Sequence, residues 1–149
     1  MMPEARIYVM CGLPRSGKNT WIDDHKADKV VVEAGQLRYL VYGQRFWDEG
    51  EALMWSVHDV VLRMLLQQGN LDIIINECNV TVKRRARFIS IANEYGYEAI
   101  CVHVPTSRQE CIDRAQKLDD PRIIPVIQRM FNEFQKPTLE EGFSGIIVL

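Results

Sequence analysis

The feature that constrains this chain most is a glycine-bounded loop near its start, which runs from Gly12 to Lys18. An apolar, strand-like run beginning at Arg6 precedes the loop, and an amphipathic segment follows it. The spacing is G-x-x-x-x-G-K, which is typical of a phosphate-binding loop between a β-strand and a helix. Backbone N–H groups of such a loop replace the water around phosphate oxygens, because glycine leaves those groups accessible. The loop therefore predicts a nucleoside triphosphate site.

The predicted phosphate site takes in the whole loop and the start of the following helix. Lys18 adds a mobile positive charge that reaches the β- and γ-phosphates, and we expect it to act in catalysis. The standard pattern has Ser or Thr after the lysine, whereas this chain has Asn19, whose amide oxygen is expected to meet Mg²⁺ directly or through water. ATP and Mg²⁺ are the expected cofactors. The residues of the predicted phosphate site are Gly12, Leu13, Pro14, Arg15, Ser16, Gly17, Lys18, Asn19 and Thr20.

Length and composition favour one soluble domain. The chain has 149 residues, of which 47% are hydrophobic, and this suffices for a single domain over 1–149. Its formal net charge of -2 gives no overall basic character, so any contact with nucleic acid needs a local basic patch. Four scattered cysteines predict buried thiols in a reducing compartment. Because neither a leader nor a membrane span is recognisable, we expect a cytoplasmic protein, or one in the host cytoplasm if viral, without a membrane partner.

Apolar patterning alternates between strand and helix along the chain. Strands are predicted from Arg6 and at 30–32, 71–75, 98–104 and 145–149, and helices between them, one of which is long and ends at Gly69. The alternation predicts an α/β fold of the P-loop NTPase type, with a parallel sheet of about five strands and helices on both faces. A charged segment at 114–122 predicts a helical lid. The long helix is marked by one apolar stripe, formed by Leu53, Val57, Val60, Val61, Met64 and Leu65.

Acidic side chains follow two of the predicted strands at the point where each strand ends. In an open parallel sheet the loops at the carboxyl ends of the strands meet at one edge, and ligands bind there. Glu77 comes directly after the strand at 71–75, which makes it the candidate acid that acts with Mg²⁺ beside Asn19. Glu33 follows the second strand and begins a second candidate loop at the same edge.

Several stretches resemble the phage polynucleotide kinase family. Residues 12–21, GLPRSGKNTW, are similar to the G-x-P-G-S-G-K-S-T-W run of that family. The likeness continues through the loop that ends at Arg38, through 74–79 with the basic residues that follow, and through 93–97, so that it covers most of the chain. It implies a P-loop kinase that transfers the γ-phosphate of ATP to the 5′-hydroxyl of a polynucleotide.

The resemblance also implies roles for residues outside the loop. Arg38 is expected to contact the acceptor strand, and Arg114 and Arg122 are expected to neutralise charge on the transferred phosphoryl group. Asn79 and Arg85 lie in or beside the resembling stretches and are predicted as further substrate contacts. For the basic cluster that contains Arg85, a solvated helix face is the alternative interpretation.

One position departs from the family in a way that affects the chemistry. The family has an aspartate after the second strand that accepts the proton of the attacking hydroxyl, whereas this chain has Gly35. Glycine has no side chain that accepts a proton. Glu33, two residues earlier, and Glu77 are therefore the two candidate general bases.

Three functions remain open at this stage. The first is an ATP-dependent kinase whose acceptor is a hydroxyl of a nucleic acid, either the 5′-end of a polynucleotide or the hydroxymethyl group of a modified base. 5-Hydroxymethyluracil in phage DNA is an example, since related small phage kinases phosphorylate it. The second is a kinase for a nucleoside, nucleotide or other small molecule. The third is a nucleotide-binding module in which Asn19 and Gly35 mark lost catalysis.

Overall fold

Five short strands pair into one parallel sheet in the computed structural model, which describes residues 5–149. Aliphatic side chains, many of them β-branched, fill the inner strands, and such runs favour a sheet that is covered on both faces. The order across the sheet is β2-β3-β1-β4-β5, so the strand before the glycine-bounded loop is central. The predicted fold class is confirmed. The strands are β1 (Arg6–Cys11), β2 (Lys29–Val32), β3 (Asp72–Ile75), β4 (Glu98–His103) and β5 (Gly145–Val148).

Six α-helices connect and cover the strands. They are α1 (Lys18–His25), α2 (Ala34–Tyr42), α3 (Glu51–Gln68), α4 (Val82–Glu94), α5 (Arg108–Lys117) and α6 (Ile124–Glu133), with 3-10 turns at Lys26–Asp28, Asp48–Gly50, Pro121–Ile123 and Leu139–Glu141. Thr81 caps α4 and Ser107 caps α5, since each side chain accepts a backbone hydrogen bond from the first turn. Within residues 5–149, none of the helices has the length and apolar character needed to cross a membrane.

Side chains of β1 alternate between two apolar layers, as the two-residue period of a strand requires. The layer that contains α3 and α4 includes Ile7, Val9, Leu62, Leu66, Ile73 and Phe88. The opposite layer contains α1 and includes Met10, Trp21, Ile22, Ile74 and Val102. A third cluster attaches α5 and α6 to the end of β1 and includes Leu13, Cys111, Ala115 and Ile127. The lid helices are thus packed directly on the loop that follows β1.

The buried face of α3 is not the predicted stripe. Leu53, Val60 and Met64 are each more than half exposed. The helix instead buries a second row, which consists of Met54, His58, Leu62 and Leu66. Both rows have helical spacing, so periodicity does not distinguish them, and packing against the sheet determines which one faces inward.

The structure also corrects the prediction that Arg85 contacts substrate. Arg85 is fully buried, and its Nε donates to Glu141 Oε1 at 2.8 Å. Its Nη1 donates to the Asn79 carbonyl at 2.9 Å, and its Nη2 donates to the Gln135 carbonyl at 2.8 Å. A buried guanidinium needs acceptors for its donors because no water reaches it. Arg85 therefore joins the segment after α6 to the loop after β3.

Replacement of this buried cation should destabilise the fold strongly. Arg85→Ala leaves the carboxylate of Glu141 without its cation, and we expect the free energy of unfolding to fall by about 3–5 kcal/mol. Urea denaturation measures the change. Lys83→Ala, at an exposed position on the same helix, is the control and should shift it by less than about 0.5 kcal/mol. A loss below about 1 kcal/mol in Arg85→Ala would show that the pair contributes little to the fold.

Candidate functional site

The segment between β1 and α1, residues 12–17, forms a tight loop at the centre of the sheet edge. Arg15 and Gly17 have left-handed backbone conformations, with φ of 67° and 105°. A Cβ at Gly12 would lie 2.7 Å from Ser16 Oγ and 3.0 Å from the Val104 carbonyl oxygen, so a side chain there would displace its neighbours. The first turn of α1 has no side-chain cap, which leaves its N–H groups available to an anion. This geometry is that of a nucleotide-binding P-loop.

Lys18 lies within this P-loop. Its side chain is buried, and its Nζ donates to the carbonyl oxygens of Leu13 at 2.7 Å and Gly12 at 3.1 Å. The Sγ atom of Cys78, after β3, lies 3.5 Å from the same nitrogen. The ammonium is therefore held in place by the loop, where a phosphate group would meet it.

An unpaired hydroxyl in the P-loop also fits a phosphate ligand. Ser16 Oγ is buried and has no hydrogen-bond partner among residues 5–149. A phosphate oxygen is a suitable acceptor for such a group, because a buried polar atom without a partner destabilises the fold. The carbonyl of Ser16 accepts a 2.5 Å hydrogen bond from Thr106 Oγ1, which anchors the P-loop to the chain after β4.

The two predicted metal ligands have different hydrogen-bond partners. Asn19 Oδ1 accepts a 3.0 Å hydrogen bond from Asn76 Nδ2, so Asn76 is its neighbour from β3. Glu77 instead accepts a 2.6 Å hydrogen bond from the backbone N–H of Ala34, at the start of α2. No group of three or more His, Cys, Asp or Glu side chains in residues 5–149 is arranged to hold a metal ion. Asn19 thus offers one neutral amide oxygen beside the P-loop.

Glu33 lies at the same sheet edge, and the pKa of its carboxyl is raised. Burial raises the pKa of its carboxyl above the ordinary glutamate value, and the negative charge of Glu77 raises it further. A hydrogen bond from Asn76 opposes this shift. The two candidate bases therefore lie close enough to influence each other, and the environment of Glu33 favours proton uptake.

Arginines from three segments surround the mouth of the P-loop. Arg114, on α5, donates from Nη1 to the Arg15 carbonyl at 3.0 Å. Asp120, in the lid, accepts from Arg15 at 3.1 Å and from both terminal nitrogens of Arg45 at 3.2 and 3.1 Å. These arginines lower the pKa of the Asp120 carboxyl. The predicted lid is thus tied to the P-loop and to the loop after α2 by charged hydrogen bonds.

The remaining residues predicted to contact substrate or phosphate lie in different parts of the structure. Arg38 forms a two-pronged ion pair with Glu51, at 2.8 and 2.9 Å, and this pair lowers the pKa of the Glu51 carboxyl. Asn79 is buried and donates to the Met10 carbonyl at 2.8 Å, which makes it a structural link between β1 and the loop after β3. Arg122 is exposed on the lid.

Sequence reasoning missed Thr106 and Arg45. Thr106 follows β4 at the carboxyl edge of the sheet, so the edge rule applied to Glu33 and Glu77 also indicates this position. Arg45 lies in the loop after α2, and no local pattern indicates that this loop reaches Asp120, 75 residues further along the chain.

The close packing at Gly12 predicts a loss of nucleotide binding when a methyl group is added. In Gly12→Ala the new Cβ would meet Ser16 Oγ and the Val104 carbonyl, so the P-loop must shift. We expect the affinity for ATP to fall at least ~10-fold, measured by calorimetry. Gly145→Ala is the control, because its Cβ would make an ordinary 3.6 Å contact in β5. Equal ATP affinity in both variants would contradict the role given to this loop.

Comparisons with known proteins agree with this geometry. The chain is 24% identical over 145 residues to a bifunctional polynucleotide phosphatase/kinase of Schizosaccharomyces pombe, a match that covers 94% of this chain and 32% of that protein. The chain thus spans about a third of the length of this curated relative.

Solved structures show the same fold. A chain of the Pnkp1/Rnl/Hen1 complex superposes with a TM-score of 0.66 at 17% identity, covering 76% of this chain and 40% of that one. The APS kinase of Mycobacterium tuberculosis in complex with AMPPNP and APS gives a TM-score of 0.62 at 18% identity, covering 98% of this chain and 89% of that one. The fold is therefore that of P-loop kinases. A family model described as "AAA domain" matches residues 7–137, which is most of the chain, and the chain belongs to this family of P-loop proteins.

Proposed function

We propose that this protein is a kinase that transfers the γ-phosphate of ATP to a hydroxyl group of a nucleic acid. The observation that carries the proposal is the meeting of two kinds of group at one sheet edge. Lys18 and Arg114 lie at the P-loop, and the raised-pKa carboxyl of Glu33 follows β2. Cations that hold phosphate and a carboxylate that takes up a proton are the two requirements for phosphoryl transfer to an alcohol.

The choice of a nucleic acid as acceptor is supported by the relatives. The curated relative is described as a polynucleotide phosphatase/kinase, and the match covers nearly all of this chain. The 5′-hydroxyl of a polynucleotide is accordingly the leading acceptor, and the hydroxymethyl group of a modified base such as 5-hydroxymethyluracil is the second. A nucleoside or other small-molecule acceptor remains a competing proposal, because the APS kinase has the same fold.

The chain's own residues account for the handling of the triphosphate. Lys18 and the N–H groups at the start of α1 would bind the β- and γ-phosphates, and Ser16 Oγ would donate to a phosphate oxygen. Arg114, which lies at the P-loop, would balance the charge that spreads over the transferred group, and Arg122 would join it on closure of the lid. Mg²⁺, which usually binds through phosphate oxygens and water with few protein ligands, would neutralise charge beside Asn19.

The acceptor hydroxyl needs a proton acceptor as it attacks. As its oxygen forms a bond to the γ-phosphorus, the bond from that phosphorus to the bridging oxygen of the leaving ADP breaks. The hydroxyl proton passes to a carboxylate. We assign this role to Glu33, because burial raises the pKa of its carboxyl and so favours the protonated form that the transfer produces. Arg38 lies one turn along α2 and would contact the acceptor only by leaving Glu51.

A catalytically inactive nucleotide-binding module is the second candidate. The observation in its favour is the pair of neutral residues, Asn19 and Gly35, at positions that carry a hydroxyl and a carboxylate in the resembling family. It shares the P-loop geometry but requires no function for Glu33.

A transfer assay distinguishes these proposals. The protein is incubated with ATP labelled in the γ-phosphate, Mg²⁺, and a panel of 5′-hydroxyl oligonucleotides, hydroxymethyluracil-containing DNA and nucleosides. We expect label on the oligonucleotides and a loss of at least ~100-fold in Lys18→Ala, because the phosphate loses its nearest cation. Tight ATP binding with no transfer to any acceptor would instead support the binding module.

The acidity of Glu33 predicts the pH dependence of transfer. The base acts when deprotonated, so activity is lost as pH falls through its pKa. Because that pKa is raised, activity starts to fall at a higher pH than it would for a glutamate with the ordinary pKa of ~4.3. In Glu33→Gln we expect a rate at least ~100-fold lower and no such acidic limb. Glu77→Gln is the comparison variant, and a larger loss there than in Glu33→Gln would assign the base to Glu77.

A further inference from the structure

Two concave surfaces adjoin the candidate site and share one wall, which is formed by Trp55 of α3 and Arg87 of α4. The inner cavity has a volume of about 210 Å³ and is lined by Trp55, Glu77, Asn79, Arg84, Arg87 and Phe88. The outer groove has a volume of about 410 Å³ and is lined by Ala52, Trp55, Ser56, Asp59, Val60 and Arg87. None of the predicted nucleotide-binding residues lines either surface.

We infer that the inner cavity and the outer groove form a track for a single-stranded acceptor of at least two nucleotides. The inference rests on the proposed function, which it deepens by naming the acceptor class. The 5′-terminal nucleotide occupies the inner cavity, and the next base packs on the wall of Trp55 and Arg87 as the strand continues along the outer groove.

The position of the inner cavity supports the placement of the 5′-terminal nucleotide there. The cavity is lined by Glu77 and Asn79, which follow β3. Their chain neighbours Cys78 and Asn76 contact Lys18 and Asn19. Cys78 Sγ lies 3.5 Å from Lys18 Nζ, and Asn76 donates to Asn19 at 3.0 Å. A hydroxyl at the inner end of this cavity therefore lies next to the phosphate-binding loop.

The shared wall combines aromatic rings with a guanidinium group, and nucleic-acid bases stack on both kinds of surface. The Arg87 guanidinium lies 5.3 Å from the centre of the Trp55 ring and 5.9 Å from that of Phe88. Its hydrogen bonds to the Trp55 carbonyl and to Asp59 are both long, at 3.4 Å. Flat aromatic and guanidinium surfaces bind single strands by stacking, without regard to sequence.

Two further polar groups lie beside the cavity without partners. No carboxylate in residues 5–149 lies within ion-pair distance of the Arg84 guanidinium, so its charge is available to a phosphodiester. His58 is fully buried between Trp55 and Phe88, and neither ring nitrogen has a hydrogen-bond partner in the described chain. Its Nε2 lies 3.7 Å from Glu77 Oε1. The Arg84 guanidinium thus gives the cavity lining a group suited to a polar ligand.

The presence of two adjoining surfaces predicts how affinity depends on the number of nucleotides in the acceptor. A nucleoside fills the inner cavity alone, whereas a second nucleotide adds a phosphate near Arg84 and a base on the shared wall. Affinity should therefore rise with length from one nucleotide to a short oligonucleotide. Removal of the wall should affect the oligonucleotide more than the nucleoside.

The experiment measures binding by fluorescence anisotropy with a 3′-labelled single-stranded hexanucleotide that has a 5′-hydroxyl, and by competition with a nucleoside. We expect Trp55→Ala and Arg84→Ala each to weaken hexanucleotide binding about 10-fold, with unchanged ATP affinity. Arg84→Ala should also reduce the slope of log Kd against log salt by about 0.7, as the loss of one phosphate contact requires. Arg84→Lys should recover that slope. The control is Lys83→Ala, the exposed neighbour that does not line the cavity.

Equal hexanucleotide affinity in the wild type, Trp55→Ala and Arg84→Ala would overturn the track, as would a nucleoside that binds as tightly as the hexanucleotide. Thermal melting of each variant identifies any that fail to fold, and Arg84→Ala, at an exposed helix position, is expected to fold. Because binding is measured without transfer, the two proposals fail separately. A bound hexanucleotide that is never phosphorylated refutes the 5′-hydroxyl as the acceptor, whereas transfer with unaltered acceptor binding in both variants refutes the track.

Discussion

The confinement of an ammonium group inside a turn of backbone is the interaction on which this site depends. Lys18 Nζ is buried and bonded to two carbonyls of the loop that it follows. A charge removed from water is tolerated only where acceptors surround it, so the loop must keep the shape that supplies those carbonyls. The folded loop therefore already holds the positive charge at the start of α1, and electrostatic catalysis uses charge that is preorganised in this way.

Contacts from neighbouring strands hold that shape. The N–H of Gly12 donates to the Cys78 carbonyl after β3, and Thr106 after β4 donates to the carbonyl of Ser16. From the lid, Arg114 donates to the carbonyl of Arg15. Phosphoryl transfer relies mainly on positioning, so a loop fixed from both flanking strands and from the lid suits that chemistry. The central place of β1 in the sheet makes these contacts possible, because a neighbouring strand lies on each side.

The elements that sequence predicted well are those determined by local pattern. Strand and helix periods, the glycines of the P-loop and the end of α3 at Gly69 all depend on residues that are close in the chain. The elements that it missed depend on distant partners. Arg85 is buried because Glu141, 56 residues away, lies beside it. Glu77 accepts from the N–H of Ala34, 43 residues earlier, and α3 buries His58 rather than Val60 because the sheet selects one of two rows with the same spacing.

The two halves of the candidate site differ in how their cations are compensated. At the P-loop, Lys18 is bonded to backbone carbonyls and Arg114 shares its donors between a carbonyl and Glu110, so positive potential remains where phosphate binds. On the proposed acceptor side, Arg38 is paired with Glu51 and Arg87 shares Asp59 with Arg63, whereas Arg84 makes no ion pair among residues 5–149. Where cations are already compensated, affinity must come from stacking and shape more than from net charge. For the proposed kinase, selectivity for the acceptor would therefore depend on the wall of Trp55 and Arg87, and the rate of transfer would depend on the P-loop.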